Sequence, residues 1–112
     1  MSNAVARRLD AIKGHGGVKA REIAELLDTT PETISRWQTG KAEPQPDRLN
    51  RLLTLEWVMD QLADLYVPGE ARLWLFAPHK LLHGKSPAAQ LKDGRFDEVM
   101  AVIEQLRDGA YV

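Results

Sequence analysis

Apolar residues Val5, Leu9 and Ile12 recur at the spacing of one α-helical face. The run Gly14-His15-Gly16-Gly17 behind Lys13 predicts the end of that helix, because glycine enters the left-handed conformation at little cost. Over residues 19–27, Ile23, Ala24, Leu26 and Leu27 fall on one side and Arg21, Glu22 and Glu25 on the other, which predicts a second helix with Glu22 on its solvated face. Asp28-Thr29-Thr30-Pro31 is a break and a restart. The Thr30 hydroxyl suits a helix cap, and Pro31 suits the first helical position, where no amide donor is needed. This third helix turns Ile34 and Trp37 inward and is expected to stop at Gly40.

Pro44 and Pro46 exclude a helix before Asp47, which is expected to cap a long one over residues 48 to about 66. Its apolar face is wide, with Leu49, Leu52, Leu55, Val58, Met59, Leu62 and Leu65 among its members. Val67-Pro68-Gly69 predicts its end and divides the chain into residues 1–66 and 67–112. Beyond lie a short apolar helix (70–76), a loop around Pro78, and a turn or brief helix (80–83). Ser86-Pro87 repeats the cap-and-proline signal for a helix that Gly94 closes. A last helix from 96 to about 107 buries Phe96, Val99, Val102, Ile103 and Leu106. No segment alternates with period two, so the predicted fold class is all-α.

Composition narrows this picture modestly. At 112 residues, 44% hydrophobic and 28% charged, the chain matches an ordinary soluble globular protein of one domain, or two small modules sharing a core. It has no cysteine, which excludes a disulfide scaffold and thiolate metal sites and makes the cytoplasm the expected compartment. No stretch is apolar enough for a membrane span. The net charge of −1 does not advertise a nucleic-acid binder. Residues 1–51 nevertheless carry 9 basic and 7 acidic side chains, against 6 and 9 in residues 52–112. If either half meets phosphate it is the first.

The second and third helices carry the most informative constellation. With Ile34 and Trp37 turned inward, the third presents Thr30, Glu32, Thr33, Ser35, Arg36 and Thr39 outward. Short polar residues around one arginine suit a helix lying in a DNA major groove, with Arg36 forking onto a guanine edge. Lys19, Arg21 and Lys41 join this face as further candidate DNA-binding residues. A plain helical hairpin with a solvated face has the same pattern, and the pattern alone leaves both readings open.

Other chemistry is thin. His79 and His83 have helical metal-ligand spacing, but no nearby cysteine or carboxylate completes a ligand set, and Pro78 opposes their alignment on one helix. Gly84-Lys85-Ser86 lacks the upstream glycine of a phosphate loop. Asp60 and Asp64 read as a solvated face, and no serine has a histidine–carboxylate partnership. No catalytic residue, metal or cofactor is expected.

Two resemblances sharpen these readings. The string from Ala20 through Trp37, followed by Gly40-Lys41 and Pro44, resembles the Xre/Cro-type helix-turn-helix, with Asp28 standing where the turn often has glycine. Residues 71–87, with Trp74, Phe76, Pro78, Leu81, Leu82 and the Ser86-Pro87 start, resemble the toxin-binding domain of Xre/MbcA/ParS-type antitoxins from RES–Xre toxin–antitoxin systems. Leu91, Gly94, Phe96, Val99 and Ile103 continue that pattern; His79 departs from the asparagine expected there. The MbcA branch is closest in layout.

The resemblance implies a protein partner, a RES-domain toxin that degrades NAD, silenced by covering its active-site cleft. It also implies autoregulation through operator DNA. Toxin contacts are then expected from Trp74, Phe76, Pro78, Leu81, Leu82, Ser86 and Arg95, with Gly109, Ala110, Tyr111 and Val112 forming a slender tail suited to entering a cleft. So many apolar groups in a small module predict an exposed patch including Leu81 and Leu82, while Trp74 and Phe96 are expected to pack towards the long helix. A homodimer is expected, since paired helix-turn-helix units match palindromic operators. A stand-alone repressor whose second half dimerises or senses a ligand is the alternative.

Overall fold

The computed structural model describes residues 3–109. Among them are seven α-helices, one 3-10 turn and no strand: α1 (Ala4–Gly16), α2 (Ala20–Leu26), α3 (Pro31–Gln38), α4 (Pro46–Ala63), α5 (Pro68–Phe76), the 3-10 turn Lys80–Leu82, α6 (Pro87–Lys92) and α7 (Phe96–Gly109). The fold class is all-α, as the periodicity predicts.

Helix ends follow local chemistry. The Asn3 side chain accepts from the Ala6 amide and caps α1, which Gly17 closes at φ +62°. A β-carbon on Gly17 would lie 2.9 Å from the Pro68 carbonyl oxygen, so this glycine also lets the start of α5 approach closely. Thr30 caps α3 through the Thr33 amide, and Ser86 caps α6 through the Ala89 amide. Both are followed by proline at the first helical position.

Two expected boundaries need correction. Asp47 lies inside the first turn of α4 and is not its cap: Pro46 opens the helix, with Gln45 before it. Likewise Pro68 opens α5 instead of breaking the chain ahead of it. In both cases proline, which lacks the amide a cap must satisfy, takes the position where that donor is superfluous.

Helix α1 lies along α4, tied at the surface by an ion pair from Arg8 to Glu56 and by a hydrogen bond between His15 and Asp60 at 2.9 Å. Helices α5, α6 and α7 continue the bundle, giving extents of 46 × 24 × 19 Å. One continuous apolar core runs from Leu9 and Ile12 through Leu52, Leu55 and Leu62 to Leu75, Val99 and Ile103. Trp57, Phe76 and Phe96 pack against it half-buried. The core fixes two sets of outward-facing side chains, one on α2 and α3, the other around α5, the 3-10 turn and α7.

Candidate interaction surfaces

In the first set, Ala24 on α2 and Ile34 and Trp37 on α3 are buried. The small Ala24 side chain lets the helices pack, and the two larger ones anchor α3. The turn between them requires a left-handed residue, and Asp28 supplies it at φ +55°. Glu32, Ser35, Arg36 and Thr39 stand outward and exposed, as does Thr30; Thr33 is half-buried and shares a 2.8 Å hydroxyl bond with Thr30. The Thr39 hydroxyl donates back to the Ser35 carbonyl at 3.1 Å. The Arg36 guanidinium has no partner among the described residues, so its five donors face solvent. Lys19, Arg21 and Lys41 are exposed around this face.

Glu22 corrects its sequence reading. It is buried, only 9% exposed, because its carboxylate is consumed inside the protein. The Lys19 amide donates to Oε1 at 3.0 Å, closing the N-terminus of α2, and the Arg72 guanidinium of α5 donates to both oxygens. The Arg72 hydrogen bond holds the Glu22 carboxyl below the usual carboxylate range; burial opposes it, while the Lys19 amide and the charges of Arg72 and Arg21 reinforce it. The guanidinium also lies 5.4 Å from the centre of the Phe76 ring. Lys-x-x-Glu at a helix start could have signalled the local half of this arrangement. Nothing local pairs Glu22 with a residue fifty positions away.

The second set surrounds an apolar groove of about 750 Å³ between the 3-10 turn and α7, lined by His79, Leu81, Val102, Gln105 and Leu106, with Glu104 and Asp108 also on it. Leu81 is 57% exposed, and Leu73 on α5 is 68% exposed. Leu82 is only 1% exposed and does not belong to the expected patch. In a three-residue helical turn adjacent side chains point apart, so one leucine enters the core and its neighbour faces solvent. Trp74 is buried, with its ring set edge-on to His79 at 5.1 Å between centroids. Its indole N–H has no acceptor among the described residues.

The His79 backbone closes the loop: its amide donates to the Lys85 carbonyl at 3.0 Å, and its carbonyl accepts from Leu82 and Gly84. Pro78 is exposed and Ser86 half-buried at its capping position. Arg95 is exposed and pairs with Glu98 at 3.8 Å. Gly109 is the last residue of α7 and is helical, not the start of a slender tail. Ala110, Tyr111 and Val112 lie outside the described residues.

His79 and His83 do not share a helix face, because His79 is extended and His83 left-handed at φ +58°. No three histidine, cysteine or carboxylate side chains gather to hold a metal ion among the described residues. Asp60 and Asp64 are taken by His15 and Arg107. No helix among the described residues is long and apolar enough to cross a membrane.

The described residues thus form an all-α bundle with two outward-facing sets of side chains. No family model matches it. Comparison with characterised proteins is more specific. The chain is 32% identical over 96 residues to the mycobacterial cidal antitoxin MbcA of Mycobacterium tuberculosis and of Mycobacterium bovis, covering 86% of this chain and 85% of theirs. A probable mycobacterial cidal antitoxin of Mycobacterium tuberculosis is 32% identical over 104 residues, 93% of this chain and 88% of its own length. The crystal structure of the Mycobacterium tuberculosis MbcT–MbcA toxin–antitoxin complex contains a chain of the same fold, with a TM-score of 0.84 and 30% identity over 98% of this chain and 99% of that one. The chain belongs to the MbcA antitoxin family.

Proposed function

We propose that this protein is an antitoxin that binds a RES-domain, NAD-degrading toxin and neutralises it by covering its active site. The observation that carries the reading is the end-to-end likeness to a chain crystallised in a toxin–antitoxin complex. The exposed Leu81, the half-buried Phe76 and the open groove beside α7 support it, since apolar surface beside a folded core is what a protein partner would cover. In this reading Phe76, Pro78, Leu81, Arg95 and Gly109 meet the toxin directly, together with Ala110, Tyr111 and Val112. Trp74, Leu82 and Ser86 act from beneath by holding the loop in shape.

The division of labour follows the two halves of the chain. Residues 67–112 engage the toxin; residues 1–66 bind operator DNA through α2 and α3, as a homodimer, and repress the chain's own operon in the cytoplasm. The unpaired Arg36 guanidinium amid short polar side chains supports the second role, since a bidentate contact to guanine needs a free fork of donors. The test is co-expression with the product of the neighbouring reading frame. The neighbour alone is expected to arrest growth and deplete NAD, and the pair to co-purify as one complex of defined mass. A neighbour that is harmless without this chain would overturn the antitoxin reading and leave a stand-alone repressor.

A further inference from the structure

A second cleft, of about 250 Å³, opens where α2 and the start of α3 meet α6, with Arg21, Glu25, Asp28, Thr29, Pro31 and Lys92 on its walls. Its two cations come from opposite halves of the chain. Arg21 is exposed on α2 next to the buried Glu22, and Lys92 is the last residue of α6. The Lys92 ammonium is exposed and makes no hydrogen bond or ion pair among the described residues.

Its backbone, by contrast, is held firmly. The Arg51 guanidinium of α4 donates to the Lys92 carbonyl at 3.0 Å. Two residues on, Gly94 sits at φ +80°, and a β-carbon there would come within 3.4 Å of the same guanidinium. Arg51 thus fixes the corner between α6 and α7 and sets Lys92 beside the outward surface of α2 and α3. Of the two acids in the cleft, Asp28 is already engaged, 3.8 Å from Arg48, which also donates to the Asp28 carbonyl. Glu25 is the remaining negative charge.

We propose that Lys92 and Arg21 together grip a phosphodiester backbone running past α3, so that the second half of the chain supplies part of the nucleic-acid interface. The inference rests on the DNA reading of α2 and α3 and extends it across the division at residue 67. A free ammonium on one wall of a cleft, carried by a backbone that Arg51 holds, with a guanidinium on the other wall, suits the closely spaced negative charges of a nucleic-acid strand. A contact to the phosphodiester backbone carries no sequence information, so it adds affinity without sequence preference.

Two exposed-residue variants, Lys92→Ala and Glu25→Gln, test this. Binding to the duplex upstream of the chain's own reading frame and to an unrelated duplex is measured across a salt series, for the full chain alone and in complex with its toxin. Lys92→Ala is expected to weaken both duplexes by the same factor and to reduce the slope of log affinity against log salt by about one. Glu25→Gln is expected to tighten both. Arg36→Ala serves as the reference, weakening the upstream duplex selectively. An unchanged slope in Lys92→Ala while Arg36→Ala loses affinity would remove Lys92 from the interface and leave the DNA reading standing. A wild-type chain that binds no duplex, with or without toxin, would overturn both. Thermal melting of Lys92→Ala at the wild-type temperature is the accompanying check on folding.

Discussion

The carboxylate of Glu22 on α2 and the guanidinium of Arg72 on α5 form a two-point ion pair between the half of the chain that carries Arg36 and the half that carries Leu81. Fifty residues separate them in sequence. Glu22 also caps its own helix, so one buried carboxylate sets both the start of α2 and its attachment to α5.

Removing the cation therefore costs more than removing the pair. Arg72→Met leaves a buried carboxylate with only the Lys19 amide, and is expected to destabilise the fold by about 1–3 kcal/mol, the lower end reflecting the partial exposure of Arg72. Adding Glu22→Gln to Arg72→Met is expected to recover part of that loss. Urea unfolding of the two single variants and the double variant checks this, and strictly additive losses would show the two side chains to be uncoupled.

The same pair sets an acid limb. The folded carboxyl of Glu22 lies below its ordinary value of 4.5, so its stabilisation is complete above that value and is lost as pH falls through the lowered one. In Arg72→Met the carboxyl loses its largest lowering influence, and burial opposes the Lys19 amide and Arg21 that remain, so it is depressed less than in the wild type. Wild-type unfolding free energy is thus expected to fall between neutral pH and pH values below 4.5, and that of Arg72→Met to fall less steeply over the window. Parallel profiles would assign the acid sensitivity to other groups.

The attachment of Glu22 to Arg72 is the part of the structure least legible in the sequence. Signals between neighbours in the chain read correctly: the Val5, Leu9 and Ile12 face, the Thr30-Pro31 and Ser86-Pro87 starts, the inward Ile34 and Trp37, and the Asp28 turn all reflect chemistry completed within a few residues. Glu22 did not, because its partner arrives only when α5 packs against the rest. Leu81 and Leu82 did not either. A periodicity argument needs several turns to assign faces, and the helical turn between Lys80 and Leu82 has one.

Two glycines at the end of α1 are expected to respond in opposite ways. Gly14 lies inside the helix with open space around its α-carbon, and Gly14→Ala is expected to stabilise by about 0.5–1 kcal/mol. Gly17→Ala meets both the left-handed backbone and the Pro68 carbonyl, and is expected to destabilise by at least about 1 kcal/mol. A melting temperature of Gly17→Ala at or above that of the wild type would contradict the close approach of α5 to the end of α1.

Under the proposed DNA-binding role of α3, Arg36→Ala is expected to weaken operator binding by about 1–3 kcal/mol, the range for a lost bidentate base contact, while toxin neutralisation stays intact. The residue is exposed and unpaired, so no loss of stability accompanies the change. A mobility-shift titration of unchanged affinity would remove Arg36 from the readout.

Leu81 and Leu82 separate surface from core within two adjacent residues. Leu82→Ala deletes a side chain that is 1% exposed, and is expected to cost about 2–5 kcal/mol of folding stability. Leu81→Asp changes one that is 57% exposed on the rim of the groove beside α7. It should leave the unfolding free energy within about 0.5 kcal/mol of wild type, as surface substitutions do. Its effect is expected at the partner instead, because a carboxylate introduced on this rim and covered by a protein partner is desolvated without compensation. Neutralisation in a growth-rescue assay should fail for Leu81→Asp at a protein level that suffices for wild type, with its melting curve unchanged. For Leu82→Ala any loss of neutralisation should track the unfolded fraction and return at lower temperature. Full rescue by Leu81→Asp would move the toxin interface away from this groove and onto the exposed face of α5 around Leu73.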